Sequence, residues 1–248
     1  MIPIWITVGA CLGWLGGVVG IGGGLLAVPL LSFVLGQNQQ LAQGTALVMV
    51  LPNVILGLIR YAQRGGLKLR LAVPLSAAAF PANFVGAYEA THIQSATLRA
   101  GFVVFAMALA AISASRGLMK GVVPTSNAPE RSCLWAPGIG IFAGLLNGLF
   151  GVGGGVFAVS FMSIVYRLSQ VTAQGFGLAL VVPAAAVGLS TYSLYGKVDW
   201  VVGGSLAIGG TLTVARGVQK AHLLPDRTLR FTFAGLALIT ALALFLRY

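Results

Sequence analysis

Long apolar stretches follow one another almost from end to end of this 248-residue chain, interrupted by short clusters holding Arg, Lys, Gly and Pro. A bilayer core asks for about 20 consecutive apolar residues per helix. Eight such segments stand out, at 3–36, 43–63, 69–88, 97–118, 135–166, 173–195, 198–219 and 228–246. They form two sets of four. Between the sets, residues 121–133 carry Pro, Ser and Asn in the manner of a polar linker. The expected domains are an N-terminal transmembrane repeat, 1–120, and a C-terminal one, 134–248.

The two sets are copies of one another. An offset of 131 residues places Gly20-Ile-Gly-Gly-Gly24 on Gly151-Val-Gly-Gly-Gly155, and Ala42-Gln-Gly44 on Ala173-Gln-Gly175, without a gap. Pro52, Gly57, Tyr61 and Gly65 fall on Pro183, Gly188, Tyr192 and Gly196. Self-similarity of this extent marks an internal duplication.

Charge gives the relative direction of the copies, because Lys and Arg near segment ends mark the cytoplasmic side. Arg60, Arg64, Lys68 and Arg70 crowd one turn of the first half, whereas the matching turn of the second half sets Lys197 against Asp199. The next turn reverses this: Glu89 and Arg99 cancel, while Arg216, Lys220, Arg227 and Arg230 outweigh Asp226. Opposite bias at matching positions predicts opposite orientation. Each half must then cross the membrane an odd number of times, so one of its four segments is not a simple crossing. The first segment of each half exceeds 30 residues and carries its glycine cluster near the middle. It reads as a re-entrant hairpin or as two short helices meeting at the glycines; the alternative is one long tilted helix whose glycines permit close packing. The expected fold is all-α and integral to the membrane, with two inverted repeats, the first segment of each broken or re-entrant at its Gly-rich motif.

Composition agrees and excludes other classes. The chain is 58% hydrophobic and 8% charged with a mean hydropathy of +0.95, against about one quarter charged in soluble domains. The net charge of +11 sits at the ends of apolar runs, which points to membrane orientation and away from nucleic acid. The first 35 residues lack the basic start of a signal peptide and outrun its apolar stretch, so they are expected to remain. Cys11 and Cys133 fit no metal or disulfide spacing.

Candidate chemistry lies in the glycines. Three in a row cost an apolar helix roughly 1 kcal/mol each against Ala. Bare backbone can turn sharply and expose N–H groups, and a helix beginning there points its positive dipole end at the same spot. Gly22, Gly23 and Gly24, with Gly153, Gly154 and Gly155, are therefore candidate anion ligands, as at the broken helices of inverted-repeat transporters. Gln43 and Gln174 occupy equivalent positions and either donate to an oxyanion or face interfacial water at a helix start. Thr45 adds a hydroxyl that its counterpart Phe176 lacks. Asn53, Asn147 and, more weakly, Asn83 either line a polar cavity or satisfy backbone freed by Pro and Gly.

The glycine spacing fails the dinucleotide fingerprint and no Walker lysine is present. No nucleophile–base pair or metal cluster is visible, so neither enzyme activity nor a cofactor is expected. Glu89, Glu130, Asp199 and Asp226 lie near segment ends or in linkers, and His92 and His222 in turns. Proton relays through a deep carboxylate are disfavoured; a weakly acidic substrate would carry its own proton.

With its repeated Gly-x-Gly-Gly-Gly, Val28-Pro29, the Ala42-Gln-Gly-Thr-Ala-Leu47 segment and the four-plus-four arrangement, the chain resembles the TauE/SafE sulfite exporter family of membrane permeases over nearly its whole length. The resemblance implies transport of sulfite, a sulfonate or a related organosulfur anion without a nucleotide-hydrolysing domain. Ser160 in place of the motif proline and Phe176 in place of threonine depart from it in the second half. The expectation is a secondary transporter of the cytoplasmic membrane, working by alternating access. Its expected partners are the bilayer and a small oxyanion, with a coupling proton and a homodimer left open. An anion channel and a non-transporting membrane scaffold are the alternatives.

Overall fold

The computed structural model describes residues 2–63, 69–118, 135–151, 153–166 and 168–245, and every regular element among them is an α-helix. The linker at 121–133, with Cys133 and Glu130, lies outside the described residues. The helices of the first half are α1 (Ile2–Val19), α2 (Gly24–Leu35), α3 (Gln39–Gln63), α4 (Leu69–His92) and α5 (Ser95–Leu118). Those of the second are α6 (Trp135–Phe150), α7 (Gly153–Val165), α8 (Gln170–Leu194), α9 (Trp200–Ala221) and α10 (Asp226–Phe245). Seven of them are long and apolar enough to cross a membrane, and α2, α6 and α7 are shorter apolar helices. Large apolar side chains such as Phe33, Val104, Trp135, Trp200, Leu212 and Phe245 face outward, as lipid-facing surfaces require.

Both long first segments are broken. Gly20, Gly22 and Gly23 take φ of 73°, 70° and 87°, and Gly151 takes 76°. Only glycine adopts this left-handed region at little cost. The Ile21 N–H reaches back to Gly16 O at 3.1 Å, closing α1, and α2 starts at Gly24. The single tilted helix is thereby excluded.

Helix packing exchanges elements between the halves. The largest contacts are α1 on α9 and α4 on α6, equivalent pairs under the duplication; α5 also meets α10, and α3 meets α8, the two most buried of the long helices. Glycine makes the approach possible. Gly9, Gly13 and Gly17 face Leu206, Gly210 and Val214 in rising order, so α1 and α9 run parallel; Gly140 and Gly144 face Leu75 and Ala79 likewise, so α6 and α4 do too. In contrast, Gly44 lies beside Tyr192, Leu47 beside Gly188 and Gly57 beside Leu178, so the equivalent helices α3 and α8 run antiparallel.

These directions fix the path of the first segment. The α2 start lies beside Met49, Val50 and Val54, midway along α3, and its end leads through residues 36–38 into the α3 start. The start of α9 is joined to early α3 by the Asp199 N–H, which donates to Thr45 Oγ1 at 2.9 Å. Since α1 runs parallel to α9, α1 begins and α2 ends at the same face of the bundle. The segment is a hairpin that enters and returns.

At two of the helical prolines, a hydroxyl from a neighbouring helix serves the carbonyl freed one turn back. Pro29 leaves the Leu25 carbonyl without its helical donor, and Thr240 on α10 donates to it at 3.2 Å. Pro183 frees the Ala179 carbonyl, which accepts from Ser76 on α4 at 3.0 Å. In the second half, where Ser160 replaces the proline, the position matching Thr240 is Leu109.

Candidate functional site at the glycine breaks

Each break is covered by a glutamine from the opposite half. Gln174 on α8 lies against Gly20, where a methyl group would come within 2.6 Å of its Cβ, and Gln43 on α3 lies against Gly151 with its Cβ 3.2 Å from the same imagined methyl. Both side chains are fully buried, which rules out the interfacial-water position. A tyrosine steers each one: Tyr61 Oη donates to Gln174 Oε1 at 2.6 Å, and Tyr192 Oη donates to Gln43 Oε1 at 2.8 Å. The same hydroxyls lie 3.4 Å from Gly17 O and 3.1 Å from Gly148 O, at the ends of α1 and α6. The duplication thus yields two matched assemblies of glycine break, glutamine and tyrosine, each with members from both halves.

The other expected residues are distributed around them. Gly22 and Gly23 form the first turn-out, Gly24 opens α2, and Gly153, Gly154 and Gly155 form the first turn of α7. Asn53 donates from Nδ2 to Gly22 O at 3.3 Å, and its side chain also lies against Gly210 of α9. Asn83 donates to Gly144 O at 3.4 Å, within the α4–α6 pair. Asn147 on α6 is buried beside Gly154. Thr45 is not brought to a break: its hydroxyl accepts from Asp199, which itself caps α9 by accepting from the Val201 and Val202 N–H groups at 3.1 Å.

Three acids are described, and all lie at helix ends. Glu89 is exposed in the last turn of α4, Asp199 caps α9, and Asp226 opens α10, where it accepts from the Gln170 N–H at 3.0 Å and faces Arg230 at 3.9 Å. No Lys or Arg is among the buried described residues, so what the breaks can offer an anion is partial charge: amide dipoles, hydroxyls and the first-turn N–H groups of α2 and α7, which lack acceptors within their own helices.

Sequence reading missed the role of Tyr61 and Tyr192. Their signal was present, since each is a polar-tipped aromatic conserved between the copies at the same offset as the glutamines. Ser76 and Thr240 were missed as well; counting four residues back from each helical proline would have asked for such donors.

Comparison with known proteins supplies the family. The profile described as Sulfite exporter TauE/SafE matches residues 5–244. A probable membrane transporter protein of Xylella fastidiosa (strain 9a5c) is 28% identical over 232 residues, covering 89% of this chain and 88% of the relative. One from Methanocaldococcus jannaschii is 28% identical over 76% of this chain and 70% of its own length, and YunE of Bacillus subtilis (strain 168), also named a probable membrane transporter protein, is 23% identical over 83% of each. No solved structure matches the chain. Its helices, its paired breaks and its relatives describe a multi-pass membrane transporter and not an enzyme, consistent with the inner membrane. The chain belongs to the TauE/SafE sulfite exporter family.

Proposed function

We propose that the protein is a secondary transporter that moves a small oxyanion, sulfite or an organosulfur anion, by alternating access between two inverted repeats, 1–120 and 134–248. The observation that carries this reading is the crossed construction of the two breaks. Gln174 and Gln43 each cover the break of the opposite half, so any rocking of one half against the other changes the surroundings of a bound ion. Helix directions support the inversion, since α3 and its duplicate α8 run antiparallel. The sulfur oxyanion rests on the family name and on the absence of any buried Lys or Arg among the described residues, which suits a weakly charged ligand.

Charge distribution supports one orientation. Tyr61 at the end of α3 stacks near His222 at the end of α9, with ring centroids 4.9 Å apart. That face carries Arg60, Arg216, Lys220, Arg227 and Arg230. The opposite face gathers Tyr88, His92 and Tyr195, with Glu89 and Asp199 offsetting Arg99 and Lys197. The positive-inside rule makes the first face cytoplasmic.

Purified protein in liposomes, loaded with sulfite and diluted into labelled sulfite, tests the reading. Saturable counterflow is expected, and it should be abolished in Gly23→Leu and in Gly154→Leu while both variants still insert. Undiminished flux in both variants overturns the site, and large unsaturable currents would make the protein a channel.

A further inference from the structure

The two breaks match in backbone and differ in their polar side chains. At the first, the amide donors are engaged: Gln174 Nε2 donates to Val18 O at 3.4 Å and Asn53 Nδ2 to Gly22 O at 3.3 Å, leaving only Asn53 Oδ1 unpartnered. The position that matches Asn147 is Gly16, which offers no side chain. At the second break the opposite holds. Gln43 commits its Oε1 to Tyr192 and leaves Nε2 without a partner, and Asn147 has a partner for neither Nδ2 nor Oδ1. Gln43 is 0% and Asn147 1% exposed.

A buried amide with no partner costs about 1–3 kcal/mol, and native chains keep few of them. Two of them flank one break: Gln43 lies against Gly151, and Asn147 has its Cβ 2.5 Å from where a methyl on Gly154 would sit. The first turn of α7 begins between these two glycines, with N–H groups unspent and a positive dipole end. A helix start flanked by two buried, unpartnered donors is a place prepared for an acceptor.

We propose that the anion is bound at the second break alone, between Gln43, Asn147 and the first turn of α7, and that it is a singly charged oxyanion which keeps one proton. The proposal rests on the transporter reading above. Amide dipoles and a helix end offset about one charge; a dianion would leave the second uncompensated at membrane depth, because every described Lys and Arg side chain is at least partly exposed. Asn147 presents both a donor and an acceptor, which serves a ligand with oxygens to be hydrogen-bonded and a proton to give. The first break acts as the structural counterpart, closed by its own hydrogen bonds. The substrate then brings its proton with it, and no side-chain carboxylate is required.

The test is the thermal midpoint of the purified full chain, which rises with any ligand bound to the folded state. Probes are sulfite either side of the second ionisation of sulfurous acid, sulfate as a fixed dianion, and methanesulfonate as a monoanion without a proton to donate. Stabilisation by sulfite is expected on the acidic side, weaker stabilisation by methanesulfonate, and little by sulfate. Asn147→Gly, which installs the residue of the first half, should weaken sulfite about tenfold or more, the loss expected for one hydrogen bond to a charged group. Asn147→Asp, equal in shape, should weaken it further by placing a carboxylate there, and serves if the glycine variant does not fold. A larger loss in Asn53→Ala than in either Asn147 variant would move the anion to the first break and overturn the placement. Equal stabilisation by sulfate at both pH values would overturn the protonated monoanion. Wild-type counterflow that persists unchanged in Asn147→Gly defeats this proposal alone, whereas a wild type without flux or stabilisation defeats the transporter reading with it.

Discussion

At the residue scale, two hydroxyls, Ser76 and Thr240, serve backbone that proline has left open. Thr240 is fully buried on α10 and serves the Leu25 carbonyl across the packing interface. In an apolar surround an abandoned carbonyl is costly because no water replaces the donor. Thr240→Val should therefore lower stability by about 1–2 kcal/mol. Pro29→Ser restores the helical donor and copies the Ser160 of the second half, so the double variant should recover part of that loss. A double-mutant cycle on reversible unfolding in detergent would measure the coupling; strictly additive losses would separate the threonine from the proline. The tyrosines follow similar logic in the site itself. Their sequence signature was visible as repeated positions, but which glutamine each one meets depends on α3 and α8 running antiparallel, and no local pattern encodes that.

At the scale of elements, glycine serves two purposes that look alike in the sequence. Gly20, Gly22, Gly23 and Gly151 are needed for positive φ, whereas Gly9, Gly13 and Gly17 are needed because α9 backbone passes where a side chain would stand. Gly13→Leu should therefore separate α1 from α9 and cost about 1–3 kcal/mol or more through overpacking. Gly235 on α10 has open space around it, and Gly235→Ala should be neutral or stabilising by up to about 1 kcal/mol. Unfolding midpoints of the two variants check this contrast; equal destabilisation would show that the α1–α9 contact is not tight. The segments, their duplication and the broken first member of each half were all legible in the chain, because each follows from local apolar length and a gap-free repeat. The boundaries moved by a few residues, with α4 running on to His92 and α3 beginning at Gln39. What could not be read was the exchange of first helices. Contact between residues some two hundred positions apart leaves no periodic mark, and small residues that pack across the halves resemble those that pack within one.

At the scale of the whole molecule, the two ends of the bundle differ in charge, and this supports a topological expectation. With Cys11 and Cys133 replaced, a cysteine at Gln94, exposed between α4 and α5, and one at Lys220, exposed at the end of α9, should react with a membrane-impermeant thiol reagent from opposite sides. Right-side-out vesicles should label Gln94→Cys and inverted vesicles Lys220→Cys; labelling of both from one side would remove the inversion. The pairing of α1 with α9 and of α6 with α4 also bears on ancestry. A half-length chain of this design cannot seat its own first helix, because the surface that receives it belongs to the other copy. A single-repeat ancestor of this design would have needed a second copy, each lending its first helix to its twin. Gene fusion would then have locked in place an embrace that already existed, leaving each copy free to diverge, as Asn147 has from Gly16.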